Sequence, residues 1–187
     1  MRELALHILD LVQNSIEAGA TRVSLEVIED KDNDFLSITV SDNGRGMHED
    51  EIKAVVDPFV TSRTTRRVGL GLPLIDMYTQ ICGGRLDIKS EKGCGTTVEA
   101  VFKYSHIDRP PLGNMKDTIK TIIIANPYLD FQYSNRVQNR SFFVATAELR
   151  SILGGVPFTH PEVITWFDEY LKENLACLHG GAGHENT

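Results

Sequence analysis

The sequence predicts an α+β fold in which helices cover one face of a mixed or antiparallel sheet. Two pairs of alternating apolar segments, each pair joined by a short polar turn, have the pattern of β-hairpins. Helical segments precede and separate the hairpins, so the order over residues 1–104 is α, β, β, short α, loop, α, β, β. Hairpins without βαβ repeats leave one sheet face for the helices. With 187 residues, 41% of them apolar, the chain is long enough to bury such a core.

The first helix and the first hairpin follow from two different periodicities. Residues 3–18 form an amphipathic helix, and Gly19 is a suitable stop. The core-facing positions of this helix are Leu4, Ile8, Leu11, Val12 and Ser15. The segments RVSLEVIE (22–29) and FLSITVS (35–41) alternate as strands do, and the polar turn DKDND joins them into a hairpin.

The second hairpin follows a short helix and a loop. HEDEIKAVVDP predicts a short helix that ends before Pro58. Residues 59–70 have no periodicity, which indicates a loop, and a second long helix runs from about Leu72 to Cys82. The strands RLDIKS (85–90) and TTVEAVF (96–102) then pair through the turn EKGCG.

The remainder of the chain predicts a small α/β appendage over residues 118–178, after a linker at 105–117 and before a flexible tail at 179–187. DTIKTIIIANP fits either a helix or a strand, and DFQYS and SFFVAT indicate a hairpin. THPEVITWFDEYLKENL predicts a helix with a capping box formed by Thr159 and Glu162. The appendage either packs against the preceding domain or has a regulatory role.

The composition argues against several classes of function. The net charge of −7 disfavours nucleic-acid binding, which needs clustered Lys and Arg. No apolar run approaches the ~20 residues of a membrane helix, and acids interrupt the apolar N-terminus, unlike in a signal peptide. Cys82, Cys94 and Cys177 are too widely spaced for a disulfide framework or a zinc site. We therefore expect a cytoplasmic protein without nucleic-acid or membrane partners.

A carboxylate and two glycines follow the second predicted strand, in VSDNGRGM (40–47). One interpretation is a hairpin turn at Asn43-Gly44 that Asp42 caps. The other is that Asp42 hydrogen-bonds a ligand, while Gly44 and Gly46 let that ligand approach the backbone. The motif alone does not decide between these two interpretations.

Polar side chains share one face of the first helix. Asp10, Asn14 and Glu17 lie at positions i, i+4 and i+7, with His7 one turn earlier on the same stripe. The ordinary interpretation is a solvated helix face. An amide flanked by carboxylates is also a suitable donor set for Mg²⁺, which uses few protein ligands beside phosphates and waters.

Glycines and positive charge precede the second long helix, in TSRTTRRVGLGLPLID (61–76). Gly69 and Gly71 stand before a helix N-terminus, where backbone N–H groups favour an anion, and three arginines lie nearby. A further glycine pair followed by hydroxyls occurs in GCGTT (93–97). Together with the acid and the amide, these features supply a hydrogen-bonding group for a base, a metal ligand and a phosphate-binding loop. A site for a nucleoside triphosphate requires these three parts.

Four segments in this order resemble the GHKL superfamily of ATPases, which includes histidine kinases, gyrase B subunits, ninety-kilodalton heat-shock chaperones and mismatch-repair ATPases. HILDLVQNSIEAGAT resembles the Asn box, SDNGRGM the adenine box, DPFVTSR with VGLGLPLI the lid and second glycine box, and GGRLDIKSEKGCGTTVEAVF the closing strands. The resemblance covers about residues 1–104. It implies a two-layer α/β sandwich of the histidine-kinase-like ATPase (Bergerat) type.

The same resemblance implies ATP and Mg²⁺ as ligands. It makes Asn14 the Mg²⁺ ligand and Asp42 the acceptor for the adenine amino group, with Thr96 in support. Gly44 and Gly46 would give the base room.

The phosphate side of the implied site involves four other residues. Gly69 and Gly71 would line the triphosphate, and Arg63 would sit where the kinases often have lysine. Asp10 takes the position of a glutamate that activates water in several of these ATPases, although its side chain is one methylene shorter.

The implied function is signal transduction by an ATP-binding module. It is either a stand-alone sensor-kinase-type enzyme that phosphorylates a separate protein, or a slow ATPase. No segment resembles the phosphoacceptor helix of a histidine kinase, so the acceptor would be another protein. The alternative is a binding module in which ATP switches a protein partner without significant turnover. A third interpretation, a mismatch-repair-like DNA protein, is disfavoured by the acidic charge.

Overall fold

The computed structural model describes residues 3–56 and 71–180. The helices and strands, in chain order, are α1 (Leu4–Glu17), β1 (Arg22–Asp30), β2 (Phe35–Asp42), α2 (Glu49–Val56), α3 (Gly71–Ile81), β3 (Arg85–Glu91), β4 (Gly95–Lys103), α4 (Met115–Ala125), β5 (Asp130–Val137), β6 (Arg140–Ala145), α5 (Thr146–Leu153) and α6 (Pro161–Leu178). Both predicted hairpins of the first half form, and the apolar segment that fitted either type is the helix α4.

All six strands belong to one sheet in the order β3-β4-β2-β1-β5-β6. Neighbours pair antiparallel, except that β5 runs parallel to β1. The two hairpins of the first half meet where β2 pairs with β4, and this pairing sets Asp42 opposite Thr96. The register therefore brings together two residues that are distant in sequence.

Helices cover one face of this sheet. The strands alternate as a one-sided sheet requires, because Leu36, Ile38 and Val40 of β2 are buried, whereas Glu26 and Gln132 point to the other face and are exposed. Within the helical layer, α1 contacts both α3 and α4, and α6 packs on α4. The predicted fold class, helices on one face of a mixed sheet, is confirmed.

The helix α1 is held at both ends. The amides of Leu4 and Ala5 donate to the carbonyl oxygens of Pro111 and Leu112, each at 2.9 Å, so the predicted linker caps the start of this helix. At the other end Gly19 adopts a φ of +78°, a left-handed conformation that suits glycine and terminates the helix.

The C-terminal segment attaches to the first half by strand pairing, since β5 lies beside β1. The helix α4 begins at Met115, inside the predicted linker, and the side chain of Asn114 caps it by accepting from the amide of Asp117. The division into separate domains remains a prediction.

The predicted capping box of α6 is wrong. The N-cap residue is His160, and its side chain makes no capping bond. Because Pro161 occupies the first turn, Thr159 lies one residue too early to cap the helix.

Part of the predicted site lies outside the described residues. The predicted loop at 59–70, with Arg63 and Gly69, belongs to this part. The chain beyond Gly180 also lies outside the described residues. Across residues 3–56 and 71–180, no helix is long and apolar enough to cross a membrane.

Candidate functional site

A cavity of about 240 Å³ opens between the second half of α1 and the ends of β2 and β4. Its walls are mostly apolar, and a few polar side chains converge on it, as is typical of a small-molecule site. The residues that line it are Leu11, Asn14, Ser15, Glu17, Ala18, Val40, Asp42, Arg45, Gly46, Met47, Val55, Leu72, Thr96 and Val98.

The carboxylate of Asp42 is held in a fixed orientation at this cavity. Asp42 is the last residue of β2. Its Oδ1 accepts the amide N–H of Gly44 at 2.8 Å, and its Oδ2 accepts the hydroxyl of Ser15 at 2.7 Å. One donor comes from the main chain and the other from α1, so the direction of the remaining lone pairs is set before any ligand arrives.

Asn43 does not form the hairpin turn that was one interpretation of its motif. Both neighbours of β2 in the sheet, β1 and β4, pair with it through other connections, and the chain continues from Asp42 towards α2. The Oδ1 of Asn43 instead accepts the amides of Thr21 and Arg22, at 3.0 and 2.8 Å. Asn43 thereby ties the loop after β2 to the beginning of β1.

The space next to each glycine of this loop is filled by protein atoms. A Cβ on Gly44 would lie 3.0 Å from the Cβ of Ala18. Gly46 has a φ of +64°, and a Cβ there would overlap the carbonyl oxygen of Glu91. Gly46 lines the cavity, whereas Gly44 does not. The role of these two glycines in making room for a base remains a prediction. The structure shows that the loop packs tightly at both positions.

Thr96 lies beside Asp42 and is anchored by Ser90. The hydroxyls of Thr96 and Ser90 are 2.8 Å apart. Ser90 Oγ also accepts the amide of Met47 at 2.8 Å and donates to the carbonyl oxygen of Gly95 at 3.0 Å. Because Ser90 donates its one proton to Gly95, the hydroxyl of Thr96 is the donor to Ser90. The lone pairs of the Thr96 hydroxyl can then accept hydrogen bonds from other groups. Ser90 joins the loop after β2 to the start of β4.

The polar residues predicted to share one face of α1 have two different surroundings. Asn14 and Glu17 line the cavity. Asp10 is exposed, and a Cβ on Gly71 would lie 3.1 Å from the Cβ of Asp10, so this acid lies against the first residue of α3. The carboxylate is therefore close to the helix start that was predicted to cradle phosphates.

His7 does not belong to the polar stripe of α1, contrary to the expectation from spacing. Its side chain is buried, and its ring meets that of Tyr78 edge-on with centroids 5.6 Å apart. The reason is that α3 packs across this turn of α1 and covers it.

The donor chemistry at the cavity fits Mg²⁺ bound together with phosphates. Within the described part of the chain, no group of three or more His, Cys, Asp or Glu side chains could hold a metal ion. Asn14 supplies one amide oxygen at the cavity wall. Mg²⁺ commonly combines one or two protein oxygens with substrate phosphates and waters, and a site of this kind needs no preformed cage.

Sequence reasoning missed Ser15, Ser90, Arg45 and Met47. Ser15 carried the clearest signal, because a hydroxyl on the apolar stripe of a helix requires a buried partner. Arg45 and Met47 belong to the DNGRGM segment and line the cavity.

The acid-ended strand β2 and the glycine-rich loop after it border the cavity, in a sheet whose one face is covered by helices. Residues 2–106 match the family described as histidine kinase-, DNA gyrase B-, and HSP90-like ATPase. The match covers more than half of the 187 residues, and the chain belongs to this family.

Two kinds of curated relatives carry this ATPase domain. The autoinducer 2 sensor kinase/phosphatase LuxQ of Vibrio cholerae is 32% identical over 111 residues, which cover 55% of this chain and 13% of the kinase. The DNA mismatch repair protein MutL of Xanthomonas axonopodis is 26% identical over an alignment that covers 93% of this chain and 32% of MutL. The chain therefore spans less than a third of these relatives.

Solved structures agree on the fold. The MutL ATPase domain of Aquifex aeolicus, complexed with ADP, superposes with a TM-score of 0.50 at 19% identity. That superposition covers 81% of this chain and 67% of the other. The N-terminal domain of a DNA repair protein gives a TM-score of 0.51 at 16% identity, over 78% of this chain and 53% of the other.

Proposed function

We propose that this protein binds ATP with Mg²⁺ in the cavity beside Asp42. The observation that carries the proposal is the carboxylate of Asp42, which two donors orient at the cavity wall opposite Thr96. The exocyclic amine of adenine donates a hydrogen bond to such an acceptor. Guanine has a carbonyl at the same position and would bring two acceptors face to face, which is costly in a desolvated site.

The amide of Asn14 is the proposed protein ligand of Mg²⁺, and the bound ion would neutralise negative charge on the phosphates. Asn14 lies one turn of helix from Asp10, so the metal ligand and the acid would face the same end of the nucleotide. The start of α3, next to Asp10, is the proposed position of the phosphates.

Asp10 is the proposed general base for slow hydrolysis. Its carboxylate would take a proton from water as the water oxygen attacks the γ-phosphorus, and the bond between this phosphorus and the leaving oxygen of ADP breaks. An aspartate reaches less far than a glutamate, so the intrinsic rate should be low. In transfer to a protein, the acceptor side chain replaces water as the nucleophile, and Asp10 is then not required as its base.

Phosphotransfer to a separate protein is the second candidate function. It is favoured by the matching sensor kinases, among them the Vibrio cholerae relative, which share the ATPase domain with this chain. The phosphorylated partner would supply its own acceptor residue.

ATP-gated switching is the third candidate, and the capping of α1 favours it. The first amides of α1 donate to Pro111 and Leu112, and α4 packs on the same helix. A nucleotide that shifts α1 would therefore displace the C-terminal half without any turnover.

A single-turnover assay with γ-labelled ATP tests these candidates. Asp10→Asn should slow hydrolysis by roughly 10²- to 10⁴-fold with ATP affinity retained, and Asp10→Glu should keep or raise the rate. Glu26→Gln is the control, because Glu26 is an exposed acid on the other face of the sheet, away from the cavity. Equal rates in all four proteins would remove Asp10 from the mechanism.

The same labelled ATP separates transfer from switching. Incubation with a cell lysate should label a partner protein if transfer is the function. If neither hydrolysis nor labelling occurs, ATP-dependent hydrogen exchange in α4 is the expected signature of a switch. Exchange that ATP leaves unchanged would contradict the switch.

A further inference from the structure

Ser15 occupies an unusual place for a hydroxyl. It lies in the interior of α1, on the stripe that faces the core, and only 4% of its surface is exposed. A serine in a helix ordinarily returns its proton to the carbonyl four residues earlier. Here that carbonyl, on Leu11, is 3.2 Å away, whereas Asp42 Oδ2 is 2.7 Å away.

The single proton of Ser15 therefore goes to Asp42. A hydrogen bond to a carboxylate is shorter and stronger than one to a neutral carbonyl, and the two distances agree with that order. Among the described residues, Ser15 is the one side chain that donates to Asp42, and the other donor is the main chain of Gly44.

This contact joins two elements that carry different parts of the site. Ser15 follows Asn14 directly on α1, and Asp42 ends β2, 27 positions further along the chain. If the hydroxyl were removed, the Gly44 amide would still hold Oδ1, but the carboxylate could turn about that bond. Its free lone pairs would then no longer point in one direction.

We propose that Ser15 is a positioning residue that aims the carboxylate of Asp42 at the amino group of the bound base and so sets the preference for adenine. This proposal rests on the proposed binding of ATP at Asp42. It assigns to Ser15 no contact with phosphates or metal, so its effect should be confined to recognition of the base.

The test compares Ser15→Thr with Ser15→Val, which have the same shape and differ by the hydroxyl. Each variant, and the wild type, is titrated with ATP and with purine riboside triphosphate, which lacks the 6-amino group. Ser15→Val should bind ATP about tenfold more weakly, with little change for the analogue, while Ser15→Thr stays near the wild type. Ser15→Ala adds no bulk and should behave like Ser15→Val, so it serves if the branched side chains prevent folding.

Three results would overturn the proposal. Equal ATP affinities of the threonine and valine variants, or of the alanine variant and the wild type, would show that the hydroxyl has no effect on recognition. A parallel loss of ATP and analogue binding would indicate a packing role. A wild type that does not distinguish ATP from the analogue would overturn the reading of adenine by Asp42 itself, whereas the first two results leave it standing.

Discussion

Glycines beside the cavity and glycines after α5 are constrained in different ways. Beside the cavity, a Cβ on Gly46 would overlap the carbonyl oxygen of Glu91, and one on Gly95 would overlap that of Asp42. After α5, a Cβ on Gly154 or Gly155 would meet nothing within 4 Å. Glycine is required at Gly46 and Gly95 because the main chains approach closely there. At Gly154 and Gly155 it is favoured only by the positive φ.

Polar side chains show the same contrast. Around the cavity, Asn43 and Ser90 bind main-chain amides of neighbouring segments. In the C-terminal half, Lys116 and Lys120 both pair with Asp168, which joins one helix surface to another. Substitutions near the cavity should therefore alter both ATP binding and the conformation of the surrounding loops. Substitutions in the C-terminal half should alter only the stability of the fold.

The largest expected effect is that of Gly46→Ala. The left-handed φ and the overlap with Glu91 should together lower the free energy of unfolding by about 2–4 kcal/mol. ATP binding should be lost as the loop shifts. Urea unfolding and ATP titration measure the two effects.

Gly154→Ala is the control for that change. It shares the positive φ, +57°, but has open space around it, so only the conformational cost of about 1–2 kcal/mol applies. ATP affinity should be unchanged. Equal losses of stability in both variants would show that the contact between Gly46 and Glu91 is unimportant.

A smaller effect, on binding alone, is expected for Asn14→Ala. Losing the amide oxygen should weaken ATP binding roughly 10- to 100-fold in the presence of Mg²⁺. Binding in EDTA should change much less. Isothermal titration with and without the metal measures the difference.

The matched control for Asn14 is Asn174→Ala on α6, where the amide donates to the carbonyl oxygen of Tyr170 instead. This control should leave ATP binding intact with and without Mg²⁺. An Asn14→Ala protein that binds Mg-ATP like the wild type would leave Asn14 as an ordinary helix residue.

The smallest effect is expected at Asp168. Hydrogen bonds from Lys120 and Lys116 lower the pKa of its carboxyl to about 2. In the unfolded chain the pKa of an aspartate is about 3.9, so the pair stabilises the fold above about pH 4 and the contribution is lost as the pH falls towards 2.

Asp168→Asn should flatten the loss of stability between pH 4 and pH 2, because its side chain has no proton to gain. Asp168 and its two lysine partners are only partly buried and remain in contact with solvent, so the change should be small at neutral pH. Acid unfolding followed by circular dichroism measures it, with Asp32→Asn in the β1–β2 turn as the control. Identical acid curves for wild type and Asp168→Asn would contradict the prediction.

The hydrophobic periodicity of single segments predicted those elements whose formation depends on residues close in sequence. The alternation in β1 and β2 and the helical spacing in α1 gave these elements within a residue or two. The segment DTIKTIIIA has apolar side chains that fit either type of element. Its helical form depends on the Asn114 cap and on burial of Ile119 and Ile123 in the helical layer.

Contacts between distant segments could not be predicted in this way. The parallel pairing of β5 with β1 joins strands about a hundred residues apart. His7 is buried because α3 crosses α1, which helical spacing within α1 cannot reveal. For the site, motif order located Asp42 and Asn14 at one cavity, but the bond from Ser15 to Asp42 required the tertiary structure.

The central claim is that Asp42 selects adenine, and the most direct measurement is a titration of ATP against GTP with Mg²⁺ on wild type, Asp42→Asn and Asp168→Asn. The wild type and Asp168→Asn should bind ATP far more tightly than GTP. Asp42→Asn should lose about 2–3 kcal/mol of ATP binding, because its amide can present a donor to the adenine amine. Matching ATP and GTP curves in the wild type, or unchanged ATP binding in Asp42→Asn, would contradict the claim.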